Sequence, residues 1–178
     1  MAQFIRSDLE FILEQIRHLA ERRRSGARAL DVATGRGRHL HALAMAGFEA
    51  FGVDQSLEAL QSARRRLSAD RLRAQLWCAD LTVSALPVRA FDLVVVARYL
   101  QRDLFRALTA ALTPGGVLLY ETFTVGQLRY DRGPRSPDHL LQAGELARAV
   151  PELELLYYAE VDAPEAVARL AARASSSR

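Results

Sequence analysis

A chain of 178 residues with half of them hydrophobic and a quarter charged has the size and composition of one ordinary globular domain, and it is long enough to bury a sizeable core. No apolar run approaches the roughly 20 residues that cross a bilayer, which speaks against a membrane partner. The formal charge of +3 comes entirely from arginine, since there is no lysine, but the basic residues are interleaved with acids, so no block resembles a nucleic-acid arm.

The N-terminus "MAQFIRSDLEFILEQIRHLAERRR" places acids early and arginines late, which is not the order of a signal peptide. Phe4, Leu9, Ile12, Leu13, Ile16 and Leu19 recur at helical spacing and predict a helix over 7–23. "ALDVA", 29–33, reads as a short apolar strand, followed by a helix over 38–46 that stops at Gly47. "FEAFGVD", 48–54, is a second strand, and 56–67 a helix with Ser56 as its N-cap. "RAQLWCAD", 73–80, is a third strand and "FDLVVVARYL" contains the fourth. "RDLFRALTAAL" predicts a helix stopped by "TPGG", and "GVLLYETF", 116–123, is the fifth strand. Strands alternating with helices, several of them apolar on both faces, predict a doubly wound, mostly parallel sheet covered by helices on both sides.

The C-terminal third changes character. Residues 124–144 hold three glycines and two prolines with no period, the composition of a lid or substrate loop. "ELARAV" suits a short helix and 153–161 a strand, whereas "EAVARLAARA" has helical propensity. Cys78, the single cysteine, excludes an intrachain disulfide, reads as a small buried hydrophobe and makes the cytoplasm the simplest compartment. His39 and His41 lie two apart on a helix and face different ways, a poor metal pair, and His18 reads as a surface residue; no metal site is expected.

The stretch "DVATGRG" ends the first strand, where open parallel sheets bind ligands. A phosphate loop would need a lysine the chain lacks. The dinucleotide fingerprint finds Gly35 and Gly37 but Leu40 where a third small residue belongs, so a nicotinamide-dependent oxidoreductase is the fold-level competitor. The third reading is S-adenosylmethionine, whose loop follows an acid: Asp31, then Gly35 and Gly37, with Ala33 in place of the first glycine. Asp54 ends the second strand 23 positions after Asp31, placed to accept both ribose hydroxyls. Asp80 ends the third, placed to accept from an adenine amino group, with the Leu81 backbone beside the ring.

With "ALDVATGRGRHL", "GVD", "CADL", "FDLVVVARYL", "LTPGGVLLYETF" and "LLQAGEL", the chain resembles the class I S-adenosylmethionine-dependent methyltransferases from about Ala29 to Val161. Within them it is most similar to small bacterial enzymes related to the tellurite-resistance methyltransferases, which also carry an arginine where Arg38 stands. The resemblance implies a single Rossmann-like methyltransferase domain over 1–178 with a seven-stranded sheet, its last strand antiparallel and formed by "ARLAARA". It implies S-adenosylmethionine as cofactor, S-adenosylhomocysteine as product, and a cofactor-binding set of Asp31, Ala33, Gly35, Gly37, Arg38, Asp54, Gln55, Asp80, Leu81 and Ala97.

Methyl transfer from a sulfonium needs alignment more than a catalytic dyad. "ARYL" at the fourth strand's end differs from the D/N-P-P-Y/F of enzymes that methylate exocyclic amines. Arg98, Tyr99 and Glu121 are the expected positioning residues. Arg98 suits an anionic acceptor or the cofactor carboxylate, or else stacks on Tyr99; Glu121 orients an acceptor or pairs with an arginine of the loop. That loop offers Arg129, Tyr130, Arg132, Arg135 and His139, of which Tyr130, Arg135 and His139 are the expected substrate contacts. The expected activity is methylation of a small molecule such as a thiol, sulfide or metalloid oxyanion. An RNA or protein methyltransferase and a cofactor-binding protein without turnover are the alternatives.

Overall fold

The computed structural model describes residues 8–176; Phe4, counted above in the first helix, lies outside them. α1 (Asp8–Arg22) buries Phe11, Ile12 and Ile16. β1 (Arg28–Val32), α2 (Arg38–Met45), β2 (Glu49–Asp54), α3 (Leu57–Ala69), β3 (Ala74–Cys78) and β4 (Phe91–Ala97) follow. A single 3-10 turn, Arg102–Leu104, leads into α4 (Phe105–Ala111) and β5 (Leu112–Phe123), and after a long loop come α5 (Glu145–Arg148), β6 (Glu154–Val161) and β7 (Val167–Arg173). The strands form one seven-stranded sheet in the order β3-β2-β1-β4-β5-β7-β6. Neighbours among β1 to β5 pair parallel, while β7 runs antiparallel to both β5 and β6. The chain reverses its direction of travel across the sheet between β1 and β4, which opens a crevice at the carboxyl ends of those strands.

Apolar residues on both faces of the central strands build two cores. In β4, Leu93 and Val95 pack with Ile12, Leu40, Leu43 and Ala63, whereas Val94 and Val96 pack with Leu104, Phe105, Leu108 and Leu146. The first set comes from α1, α2 and α3, the second from the 3-10 turn, α4 and α5, so the sheet is covered on both sides as its sequence implied.

"VARLAAR" is a strand despite its helical propensity. A weak intrinsic preference gives way when a segment is bracketed by two strands whose backbone groups it pairs. Register adds to this, because Arg169 falls opposite Glu121 of β5 and Arg173 opposite Glu154 of β6.

One boundary and one burial differ from the sequence reading. β5 begins at Leu112 rather than 116; Leu112 pairs with Phe91 and the next pairing is Val117 with Leu93, so "TPGG" is a bulge inside the strand rather than a stop before it. Cys78 is exposed, not buried, because β3 is an edge strand; its thiol donates to the Gln55 carbonyl at 3.3 Å. Among the described residues no helix is long and apolar enough to cross a membrane.

Candidate functional site

The loop after β1 is held by two carboxylates. Asp31 is buried, and its Oδ2 accepts from the Thr34 hydroxyl at 2.5 Å and from the Leu40 amide at 2.9 Å, tying the strand end to the first turn of α2. Burial pushes this carboxyl up to about 7, against the opposing pull of those two hydrogen bonds. Asp54, at the end of β2, accepts from the Gly35 amide through Oδ2 and from the Ser56 amide through Oδ1, both at 2.8 Å. The Gly35 N–H is therefore directed at a carboxylate.

The two glycines serve different ends. Gly37 (φ 76°) caps α2 so close to α3 that a Cβ there would lie 2.6 Å from the Ala63 Cβ. A Cβ on Gly35 (φ 53°) would meet nothing nearer than the Ala33 carbonyl at 4.0 Å, so it would project into open space. Ala33 also sits in the left-handed region at φ 53°, the conformation for which the first glycine of the pattern is suited.

A pocket of about 250 Å³ opens beside this loop, lined by Ala33, Asp54, Gln55, Ala79, Asp80, Leu81, Thr82 and Tyr99. Six of its eight lining residues come from the site read off the sequence; Ala79 and Thr82 are the additions. Asp80 Oδ1 accepts from the Thr82 amide at 2.9 Å and hydroxyl at 2.7 Å, which holds its carboxyl below the usual carboxylate range. Its Oδ2 has no partner among the described residues. A larger depression of about 620 Å³ lies elsewhere, where Glu49 and Ala74 begin β2 and β3. It gathers none of the predicted residues and faces the amino ends of the strands, so the chemistry does not belong there.

On the far side of the switch point stand the arginines. Ala97 ends β4 in register with Glu121. Arg98 follows in the left-handed region at φ 55°, its amide donating to the Glu121 carbonyl at 2.8 Å. Strained residues of this kind gather at functional sites. The Arg98 guanidinium lies over the Phe123 ring, 4.9 Å from its centroid, and binds Glu165 at 2.5 Å; the expected stack on Tyr99 does not form, because Tyr99 turns to the pocket and Phe123 stands at the end of the adjacent strand. Glu121 is buried and accepts from Arg169 Nε at 2.7 Å. This partner comes from β7 and not from the loop at 124–144, since register places it directly opposite. Arg38 is lowered first by partial burial and then by the charges of Arg98 and Arg66, and is supported by Glu121 and Asp31, so it shares this neighbourhood. His39, buried behind it, is pushed down to about 4 by desolvation and by Arg38 and Arg98, which keeps its ring neutral near pH 7.

The loop at 124–144 is pinned at both ends. Gln127, fully buried, donates to the Arg132 carbonyl and accepts from the Ala166 amide; Arg129 binds Asp162 at 2.6 Å, and the Tyr130 hydroxyl donates to the Asp162 carbonyl. Arg102 holds the other end through both oxygens of Glu145 and the carbonyls of Pro137, Asp138 and Leu140. Arg135 donates to carbonyls of its own loop. Tyr130, Arg135 and His139 do not line the 250 Å³ pocket. Among the described residues no cluster of three or more His, Cys, Asp or Glu side chains could hold a metal; His41 instead binds Asp70 at 2.6 Å.

Residues 29–116 match the methyltransferase domain family. This region is a methyltransferase domain, whose cofactor is S-adenosylmethionine. No curated protein matches the chain. Among solved structures it is similar to TehB from Haemophilus influenzae, with 16% identity and a TM-score of 0.74 over 91% of this chain. It spans only 62% of that protein. S-adenosylmethionine-dependent methyltransferases from Mesorhizobium loti (19% identity, TM-score 0.72, 94% of this chain and 98% of that one) and Clostridium acetobutylicum (17%, 0.73, 94% and 90%) share the fold.

Proposed function

We propose that the enzyme methylates a small anionic or acidic acceptor, a thiol, sulfide or metalloid oxyanion, within a single domain whose 124–144 loop walls the acceptor side. The observation that carries the cofactor placement is the convergence of Ala33, Asp54, Gln55, Asp80, Leu81 and Tyr99 on one pocket at the strands' carboxyl ends. When bound, S-adenosylmethionine supplies a methyl group already activated on a sulfonium centre. The lone pairs of Asp54 not taken by Gly35 and Ser56 suit ribose hydroxyls, and Asp80 Oδ2 with the Leu81 backbone suits the adenine edge. Asp31 and Gly37 shape the loop, Gly35 leaves it open, and Ala97 and Arg38 face the amino-acid end. A pyrophosphate would need the loop's N–H groups, and that of Gly35 is already spent on Asp54, which weighs against a dinucleotide.

For the acceptor the argument is charge. Burial and the charge of Arg98 lower the Arg38 guanidinium, and a nearby guanidinium favours a thiolate or oxyanion over its protonated form. Such a nucleophile needs no general base. Arg98 and Glu121 then align it, with Tyr99 between the two halves of the crevice. Tyr130, Arg135 and His139 are the loop residues assigned to the acceptor side. The loop arginines Arg129 and Arg132 bind Asp162 and Glu165, which weighs against a basic strip along this loop of the kind an RNA substrate would use.

Calorimetry with S-adenosylmethionine, S-adenosylhomocysteine and NADH in parallel tests the cofactor. Binding of the adenosyl ligands alone is expected, and binding of NADH alone would replace this reading. Formation of S-adenosylhomocysteine with thiols, sulfide, selenite and tellurite then tests the acceptor; turnover only with amines or RNA would overturn it.

A further inference from the structure

Gln101 lies on no predicted motif, yet its amide spans two walls of the pocket. Its Nε2 donates to the Leu81 carbonyl at 3.1 Å, and its Oε1 accepts from the Tyr99 hydroxyl. The bracket continues inward, since the buried Tyr120 hydroxyl donates to the Tyr99 carbonyl at 2.9 Å. On the other side the turn 80–84 is closed by its own bonds, from the amides of Val83 and Ser84 to the Asp80 carbonyl and from Thr82 to the Asp80 carboxylate. That turn is largely exposed, with Val83 84% accessible. The side chain of Leu81 anchors it in the core, and Gln101 supplies the one side-chain hydrogen bond that reaches the turn from outside it among the described residues.

We propose that Gln101 is a positioning residue that sets selectivity for a 6-aminopurine, by fixing the Asp80–Leu81 turn against the Tyr99 ring. The proposal rests on the reading of this pocket as the adenosine site. Asp80 offers an acceptor and the Leu81 N–H a donor, the complement of an adenine edge. Hypoxanthine presents the reverse pair, a carbonyl and an N–H, and a turn held in place opposes it. A turn released from Gln101 adapts to either base. A site built to hydrogen-bond a ligand group discriminates strongly only while its polar groups stay fixed.

The experiment compares S-adenosylhomocysteine with S-inosylhomocysteine by calorimetry in wild type, Q101L, Q101E and Y99F. Q101L removes both bonds; Q101E keeps the acceptor for Tyr99 and sets a carboxylate against the Leu81 carbonyl. Both are expected to lose at least tenfold in the ratio of the two affinities, as unpaired polar groups cost about that much. Y99F is expected to lose part of the ratio, since the Tyr99 hydroxyl is the second anchor of the Gln101 amide. Weaker binding of both ligands with an unchanged ratio in Q101L and Q101E would mean a merely structural glutamine and would overturn the proposal. Wild-type protein that binds neither ligand would overturn the adenosine reading, and this proposal with it.

Discussion

Replacing Gly37 with alanine separates the packing role of the glycine loop from its ligand role. The added methyl would lie 2.6 Å from the Ala63 Cβ and 3.1 Å from its Cα, well inside the 3.5–4.0 Å at which carbon atoms rest. Overpacking of this kind costs about 1–3 kcal/mol. A side chain at φ 76° adds about 1–2 kcal/mol of left-handed strain. Gly37→Ala should therefore lose about 2–5 kcal/mol in urea unfolding, a large part of an ordinary domain's stability. Ala63→Gly removes the nearest atom at a cost of about 1 kcal/mol to α3. The double variant should be more stable than additivity allows by about 1–3 kcal/mol. Gly35→Ala carries only the strain term, about 1–2 kcal/mol, and its methyl enters the crevice, so its larger loss should be in S-adenosylmethionine affinity. Gly37→Ala at wild-type stability, or strict additivity with Ala63→Gly, would refute this account of the loop.

Asp54→Ala should weaken S-adenosylmethionine binding by about 1–3 kcal/mol in calorimetry; unchanged affinity would remove the ribose assignment. Arg169→Leu breaks a pair in which Glu121 is 2% exposed and Arg169 14%, and should cost about 3–5 kcal/mol in chemical unfolding. A loss under about 1 kcal/mol would show that the pair does not hold β5 to β7. Asp31 and His39 give opposing pH dependences. Asp31 is raised from 3.8 to about 7, so the folded state holds its proton more tightly and this contribution to stability fades as pH rises from about 4 to 7. His39 is lowered from 6.5 to about 4, so its contribution grows with pH over about 4 to 6.5. Each slope is at most about 1.4 kcal/mol per pH unit, and the wild-type profile should be nearly flat between them. Asp31→Asn should leave stability rising across that window and His39→Leu leave it falling; parallel profiles in all three proteins would contradict both shifts.

The parallel part of the fold was readable because β1, β2 and β4 are apolar on both faces and each is followed by a turn signal. The acid rim was readable for a related reason. Parallel strands end at one edge, so an aspartate closing an apolar run must arrive at the crevice, as Asp54 and Asp80 do. What depended on strand order was not readable. Cys78 is exposed only because β3 is an edge, and Glu121 meets Arg169 only because β7 inserts between β5 and β6. Gln101, Glu165 and Arg102 escaped notice for another reason. They are common residue types with no spacing rule, and each matters through a partner at least 20 positions away, as with Gln101 and Leu81.

Strand order also gives the crevice a polarity. Asp54 ends β2 and Asp80 follows β3 on one side of the switch point, while Arg98 follows β4 and Arg169 stands on β7 on the other, with Arg38 on α2 beside the glycine loop. A ligand that crosses the crevice meets hydrogen-bond acceptors at one end and guanidiniums at the other. An adenosyl group joined to an amino acid has that same order, with hydroxyl and amino donors first and a carboxylate last. A dinucleotide carries its charge in the middle, where Asp54 occupies the Gly35 N–H. Glu121 and Glu165 pair with Arg169 and Arg98 at this end. The buried imidazole of His39 is held neutral by desolvation first and then by the charges of Arg38 and Arg98.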